Sequence, residues 1–162
     1  MPLLRDGRIA EDTWIALDDA AELPAQGDVI VSFERLRKDA GQLAGRKGGR
    51  TGVALDNHVD PGELEAYLAH LELIALDFPV FTDGRAYSQA RRLRTEFGYE
   101  GELRATGDVL ADQAGFLVQV GFDSFDVENG LSLDIWNKAA RSMTLAYQRG
   151  YDGDRKTRDA IL

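Results

Sequence analysis

The stretch LIALDFPVFTDGRAYSQARRLRTEFGYEGELRAT, residues 73–106, decides the fold class. Its first six residues are apolar apart from one aspartate and predict a buried strand. Ala86, Ala90 and Leu93 then recur at the spacing of one helical face, and Gly98 ends that pattern. Residues 102–106 predict a second strand. This order of elements predicts a βαβ unit with parallel strands and a right-handed crossover.

The same alternation continues on both sides of this unit. Downstream we expect a helix opening at residues 107–108, a strand over 124–128 and a last helix with Leu133, Trp136, Ala140, Met143 and Tyr147 on one face. Upstream we expect an N-terminal hairpin that turns at residues 6–7 and continues through 14–17. It is followed by strands over 28–32 and 51–55, with a short helix over 33–43 between them, and by a helix that starts at Asp60. The sequence therefore predicts a single α/β domain over residues 1–150 and a polar C-terminal tail over 151–162.

The strands themselves narrow the architecture. Those over 73–78, 102–106 and 124–128 each have an apolar face and a partly charged face, the latter carrying Asp77, Arg104 and Asp126. A doubly wound sheet has helices on both faces, and its strands are continuous apolar runs. The pattern instead favours a mostly parallel sheet with helices on one side, resembling part of a (β/α) barrel. Its polar face would line a cleft or be covered by a second subunit.

Composition excludes several classes of function. The chain has 162 residues, with 19 basic and 28 acidic side chains and a net charge of −9, which argues against a protein that binds nucleic acid. It has no cysteine, which excludes disulfides, thiol catalysis and cysteine-ligated metal centres. Its two histidines lack metal-ligand spacing, so no metal site is predicted. No export signal or membrane span is visible, and the cytoplasm is the expected location.

Polar side chains follow two neighbouring strands, where ligands bind in α/β folds. The candidate ligand-binding residues after the first strand are Thr82, Asp83, Arg85, Tyr87 and Ser88, and those after the second are Gly107, Asp108 and Gln113. Parallel strands bring both turns to one edge of the sheet, so these residues should share one cleft rim. The alternative is that Asp83 and Asp108 only cap helices. A third stretch, the basic loop 46–50, either holds an anion or is a solvated loop.

Arg104 is the ninth candidate. It lies in the middle of a strand, where a charge is costly unless it is paired. We expect it to be buried and bonded to Glu102, Asp77, Asp126 or Glu128. It would either give a negatively charged ligand a positive contact or form a plain ion pair that fixes the register of the strands.

An ordered string of short motifs carries a family resemblance. The motifs are residues 78–79, 82–85, 87–88, 91–93, 101–105, 107–110, 112–113 and 121–123. Together they resemble the bacterial domain-of-unknown-function family number nine hundred thirty-four, over about residues 28–147. Members of that family are encoded beside genes of assimilatory sulfite reduction, and some are labelled oxidoreductase. The resemblance implies a role in sulfur assimilation.

Two functions follow as expectations. The first is an accessory protein of assimilatory sulfite reduction that binds a partner enzyme, such as sulfite reductase, or a small anion at the carboxyl ends of the strands. The second is a cofactor-dependent oxidoreductase or another small-molecule enzyme. With no cysteine and no dinucleotide motif, redox chemistry would require a borrowed flavin, nicotinamide or siroheme, and the sequence does not identify which. A homodimer is compatible with both.

Overall fold

The computed structural model describes residues 1–146. The eight strands are β1 (Leu3–Arg5), β2 (Arg8–Ala10), β3 (Trp14–Ala16), β4 (Asp28–Ser32), β5 (Thr51–Leu55), β6 (Leu73–Phe78), β7 (Glu102–Gly107) and β8 (Ser124–Asp126). The α-helices are α1 (Phe33–Lys38), α2 (Ala40–Ala44), α3 (Arg85–Thr95), α4 (Ala114–Val120) and α5 (Leu133–Ala146), and two 3₁₀ helices span Pro61–His70 and Ala111–Gln113. None of these helices is long and apolar enough to cross a lipid bilayer.

All eight strands form one sheet in the order β2-β1-β8-β7-β6-β5-β4-β3. The strands β3 to β8 are parallel neighbours in sequence order, whereas β1 is antiparallel to both β8 and β2. Asp6 and Gly7 both have positive φ, as the turn of a two-residue hairpin requires. The curled, mostly parallel sheet of a partial barrel and the N-terminal hairpin are confirmed.

The two edge strands of this sheet are consecutive in the chain. Strand β2 runs in the same direction as β3, and only residues 11–13 separate them. Parallel strands that pair side by side need a crossover of a dozen or more residues, so β2 and β3 are not paired although only three residues join them. The Cα atoms of Ala10 and Trp14 lie within about 14 Å of each other, because four extended residues reach no further. The sheet therefore curls until its two edges are joined through residues 11–13, which we call the strap.

The main hydrophobic core lies on the outer face of the sheet, beneath the helices. Val53, Ile74, Leu76, Leu103 and Phe125 point outward and are buried. The inner face holds a small cluster of Trp14, Leu73 and Ala75, together with the polar side chains of β7 and β8. The expected division between one apolar and one partly charged face is confirmed.

Several expectations for individual elements were wrong. Residues 14–17 do not extend the hairpin, because β3 pairs with β4 at the other end of the sheet. The helix start at Asp60 is confirmed, because Asp60 accepts the Gly62 amide, but the helix that follows is of the 3₁₀ type. The helix over 33–43 is divided at Asp39. After β7 the first helical turn begins at Ala111, not at 107–108, and β8 ends at Asp126. The tail over 151–162, Tyr147 and the side chain of Met143 lie outside what the structure describes.

Candidate functional site at the carboxyl edge of the sheet

The loops at the carboxyl ends of β5, β6 and β7 are connected by side chains. The Asn57 amide donates to Asp83 at 2.7 Å, joining the loop after β5 to the loop after β6. The Arg85 guanidinium donates to both carboxylate oxygens of Asp83, at 2.6 Å and 3.0 Å. These bonds hold the pKa of Asp83 well below its usual range. The Arg85 charge is therefore already compensated by its neighbour.

A second set of bonds fixes the backbone of Phe81 from both sides. Its amide donates to the Asp108 carboxylate at 3.0 Å, and its carbonyl accepts from the Gln113 amide at 2.9 Å. Gln113 is in turn fixed by the Leu110 amide, which donates to its side-chain oxygen at 3.1 Å. We call this arrangement the Phe81 clamp. Asp108 and Gln113 thus act on the chain of the preceding βα unit, and the N-cap position of the helical turn that follows Asp108 is Leu110.

The clamp holds an apolar segment out in water. Val80 and Phe81 are 51% and 50% exposed, and the nearby Phe116 is 43% exposed. Gln113 precedes Phe116 by one helical turn, so the bond from Gln113 to Phe81 brings the two aromatic residues into one neighbourhood. This apolar surface could not be predicted from the pattern of the strands, because it depends on which loops the clamp joins.

The predicted site residues do not all point into one place. Thr82, Asp83, Arg85, Gly107, Asp108 and Gln113 lie at the carboxyl edge, and Asp83 and Asp108 sit at the same end of the sheet. Ser88 is exposed on α3. Tyr87 packs in the helix layer, with its ring 5.0 Å from that of Phe78 and 4.8 Å from that of Phe116. Burial, together with the charge of Asp112, raises the pKa of Tyr87 to about 12. Binding of a ligand by these residues stays a prediction.

Gly107 allows the ends of β6 and β7 to approach each other closely. It has a φ of +87°, and a Cβ placed there would lie 2.7 Å from a carboxylate oxygen of Asp77 and against the carbonyl of Phe78. Any other residue would be strained and would displace the end of β6. Gly107 therefore serves the packing of β6 on β7 and the position of Asp77.

Arg104 lies inside the curled sheet, 2% exposed, as expected. Its principal partner was not foreseen: it donates to both carboxylate oxygens of Asp12 in the strap, at 2.8 Å and 3.2 Å. A longer bond of 3.4 Å reaches Glu102, which also accepts from Arg5 and Ser124. No hydrogen bond joins Arg104 to Asp77 or Asp126 in residues 1–146. The proximity of Asp12 follows from the path of the strap, which no local pattern reveals.

Two carboxyls on the inner face carry perturbed acidities. Burial and the nearby Asp56 raise the pKa of Asp77. Burial also raises the pKa of Asp126, despite the opposing charge of Arg104. Neither carboxyl has a hydrogen-bond partner within the described range. Both carboxyls therefore keep a proton to a higher pH than an ordinary aspartate does.

The raised pKa of Asp126 predicts a pH-dependent stability. A carboxyl whose pKa is higher in the folded than in the unfolded chain lowers the free energy of unfolding when it is ionised. This loss of stability disappears as pH falls through the folded-state pKa, because the carboxyl becomes protonated. We expect Asp126→Asn to be more stable than wild type near pH 7 and the difference to shrink towards about pH 4. Urea unfolding at both pH values measures this, with exposed Glu65→Gln as the control. A difference that grows as pH falls would contradict it.

The basic loop 46–50 is engaged by the chain itself. Arg46 donates to the carbonyls of Pro24 and Gly27, and Arg50 forms an ion pair with Asp28 and lies over the Trp14 ring. The loop thus fastens the segment before β4, and two of its three cations are committed to that task. This arrangement favours neither an anion site nor a freely solvated loop.

No three His, Asp or Glu side chains converge as metal ligands within the described residues.

A comparison with curated proteins found no match. A family model described as "Bacterial protein of unknown function (DUF934)" matches residues 52–157, which is more than half of the chain and includes every candidate site residue. The resemblance of the ordered motifs is thereby confirmed, and the chain belongs to the DUF934 family.

Proposed function

We propose that this protein is an accessory protein that binds a partner enzyme at the carboxyl edge of its sheet, through Val80 and Phe81. The single observation that carries the proposal is the Phe81 clamp, which fixes both polar groups of the Phe81 backbone while leaving the ring half exposed. We call the segment of Val80 and Phe81 the docking loop.

A clamped, exposed aromatic ring suits protein recognition. Aromatic residues are enriched among the side chains that contribute most to protein interfaces. Ordering a loop on binding costs free energy. The two bonds from Asp108 and Gln113 already order this loop in the free protein, so less free energy is lost when a partner binds. A ring held in this way needs a complementary apolar pocket on a partner.

The charges at this edge favour a protein partner over a small anion. Arg85 is bound by Asp83, and Arg104 is bound by Asp12 and Glu102, so neither offers an uncompensated positive charge. Asp77 and Asp126 add negative charge on the inner face. An anion such as sulfite would meet repulsion there, whereas a protein can dock on the apolar loop beside it.

The partner we propose is an enzyme of assimilatory sulfite reduction, with sulfite reductase as the first candidate and the cytoplasm as the location. The support for this choice is the family resemblance of the ordered motifs. It makes the purified sulfite reductase of the same organism the appropriate probe.

We expect Phe81→Ser to weaken binding to sulfite reductase by about tenfold or more, because an anchoring aromatic ring contributes at least about 1.4 kcal/mol. Gln113→Ala should weaken binding less, since it releases the clamp but keeps the ring. Calorimetry measures both. Ile9→Ser is the matched control, because Ile9 is 55% exposed on edge strand β2.

A deletion strain extends the test to cells. A strain that grows on sulfide but not on sulfite places the protein at sulfite reduction. Wild type and Ile9→Ser should restore growth on sulfite, and Phe81→Ser should not. Full binding and full complementation by Phe81→Ser would contradict the proposal.

A small-molecule enzyme is the second candidate function, favoured by the unpartnered carboxyls of Asp77 and Asp126 at the ends of β6 and β8. Barrel-like folds carry catalytic residues at such positions. In the same strain, an enzyme predicts that Asp77→Asn fails to complement while Phe81→Ser succeeds. An absorption band of a flavin or a haem-like group in the freshly purified protein would support the oxidoreductase form of this alternative.

A further inference from the structure

The helix layer presents an apolar surface that lies beside the docking loop. The ring of Phe116 on α4 is 43% exposed and packs at 4.8 Å against the ring of Tyr87 on α3. Tyr87 is partly buried and Phe116 is exposed, so the pair leaves an apolar area open between the two helices. We call the area around Tyr87, Arg91, Asp112 and Phe116 the Phe116 surface.

The charges beside this area lie at its opposite ends. Helices α3 and α4 run in the same direction, because each connects two parallel strands. Asp112 precedes Phe116 by one turn and therefore lies towards the carboxyl edge of the sheet. Arg91 follows Tyr87 by one turn and lies towards the amino edge. The apolar pair is flanked by an acid at one end and a base at the other.

Both flanking charges are available. Arg91 and Asp112 are exposed, and neither forms an ion pair or a side-chain hydrogen bond with another residue in positions 1–146. The other arginines of α3 differ in this respect, since Arg85 is paired with Asp83, Arg92 with Asp60 and Glu96, and Arg94 with Asp123. The free base and the free acid of this region thus both border the same apolar area.

A surface with this order of charges is complementary to itself. In a twofold interface each residue i of one subunit contacts residue j of the other, and j contacts i. We propose that the Phe116 surface joins two copies of this chain about a twofold axis that passes beside Tyr87 and Phe116. The rotation sets Arg91 of each copy opposite Asp112 of the other, which forms two equivalent ion pairs around a shared aromatic centre.

The test needs only this protein and no partner enzyme, so its failure is distinguishable from a failure of the docking proposal. Sedimentation of the full chain over a range of concentrations should show a monomer–dimer equilibrium. Phe116→Ser should weaken the dimer by about tenfold or more, through loss of the apolar centre from both copies. Ile15→Ser is the matched control, since Ile15 is 54% exposed on edge strand β3.

A charge exchange tests the twofold arrangement itself. Arg91→Asp or Asp112→Arg alone places like charges opposite each other in both copies and should weaken the dimer, whereas the double variant restores both pairs and should restore it. Lys47→Asp, in the basic loop, controls for net charge. A wild-type monomer, a dimer indifferent to Phe116→Ser, or a double variant no better than the single ones would overturn the proposal. Circular dichroism confirms that each variant is folded.

Discussion

Replacing Arg104 with alanine is expected to lower the free energy of unfolding by about 3 kcal/mol. The side chain is almost fully buried inside the curled sheet, so its removal leaves a large cavity on the inner face. It also removes the bidentate bond to Asp12 and so releases the strap. This loss of free energy is at the lower end of the range for a broken buried ion pair, because Asp12 is partly exposed. Glu102 also keeps its hydrogen bonds from Arg5 and Ser124.

Chemical unfolding in urea measures this loss, and Arg8→Ala provides the control. Arg8 is exposed on β2, so its replacement should change stability by no more than about 0.5 kcal/mol. Asp12→Ala and the double variant complete a cycle, in which the coupling between positions 12 and 104 should be clearly favourable. An Arg104→Ala protein as stable as Arg8→Ala would show that the interior bond contributes nothing.

Arg94→Met is expected to cost more, about 3–5 kcal/mol. The Arg94 side chain on α3 donates to the carbonyls of Tyr99, Gly101 and Gly121 and to the carboxylate of Asp123. It thereby joins the end of α3, the segment before β7 and the end of α4. Methionine keeps much of the volume, so the loss comes from the polar groups left without a donor.

A matched control lies two residues away in the same helix. Arg92 is paired with Asp60 and Glu96 at the surface, and Arg92→Met should cost less than about 1 kcal/mol. Each variant removes one positive charge from α3, so a difference between their free energies of unfolding in urea reports the burial of Arg94 and not the loss of charge. Equal losses for Arg92→Met and Arg94→Met would contradict the role assigned to Arg94.

The fold was predictable where its determinants are local. The apolar run of β6, the helical spacing of Ala86, Ala90 and Leu93, and the Asp-Gly turn of the hairpin each specify an element within a few residues. The polar inner face of β7 was predictable for the same reason, because alternation along a strand is a local property. From these elements the parallel sheet with helices on one side follows by general rules of connection.

The parts that could not be predicted depend on residues far apart in the chain. The bond from Arg104 to Asp12 joins positions 92 residues apart, and it exists only because the strap crosses there. The Phe81 clamp joins positions 27 and 32 residues apart, and the bonds of Arg94 to Gly121 span 27 residues. For Arg104 the sequence identified a charge in need of a partner but not the partner. Asp108 and Gln113 were identified only as candidate ligand-binding residues, and nothing in the local pattern singled out Arg94.

The position of β1 between β2 and β8 has a consequence for the order of folding. Leu3 pairs with Asp126 and Leu4 with Phe125, so β1, the earliest strand of the described residues, is completed by β8, the latest strand of those residues. Closing so long a loop costs entropy before the contacts repay it, and such non-local pairing slows folding. During synthesis β1 has no partner on its β8 side, and Leu4 stays uncovered, until β8 has been made. In the folded protein the same pairing couples the N-terminal hairpin to β8, so the hairpin cannot detach without uncovering an edge of β8.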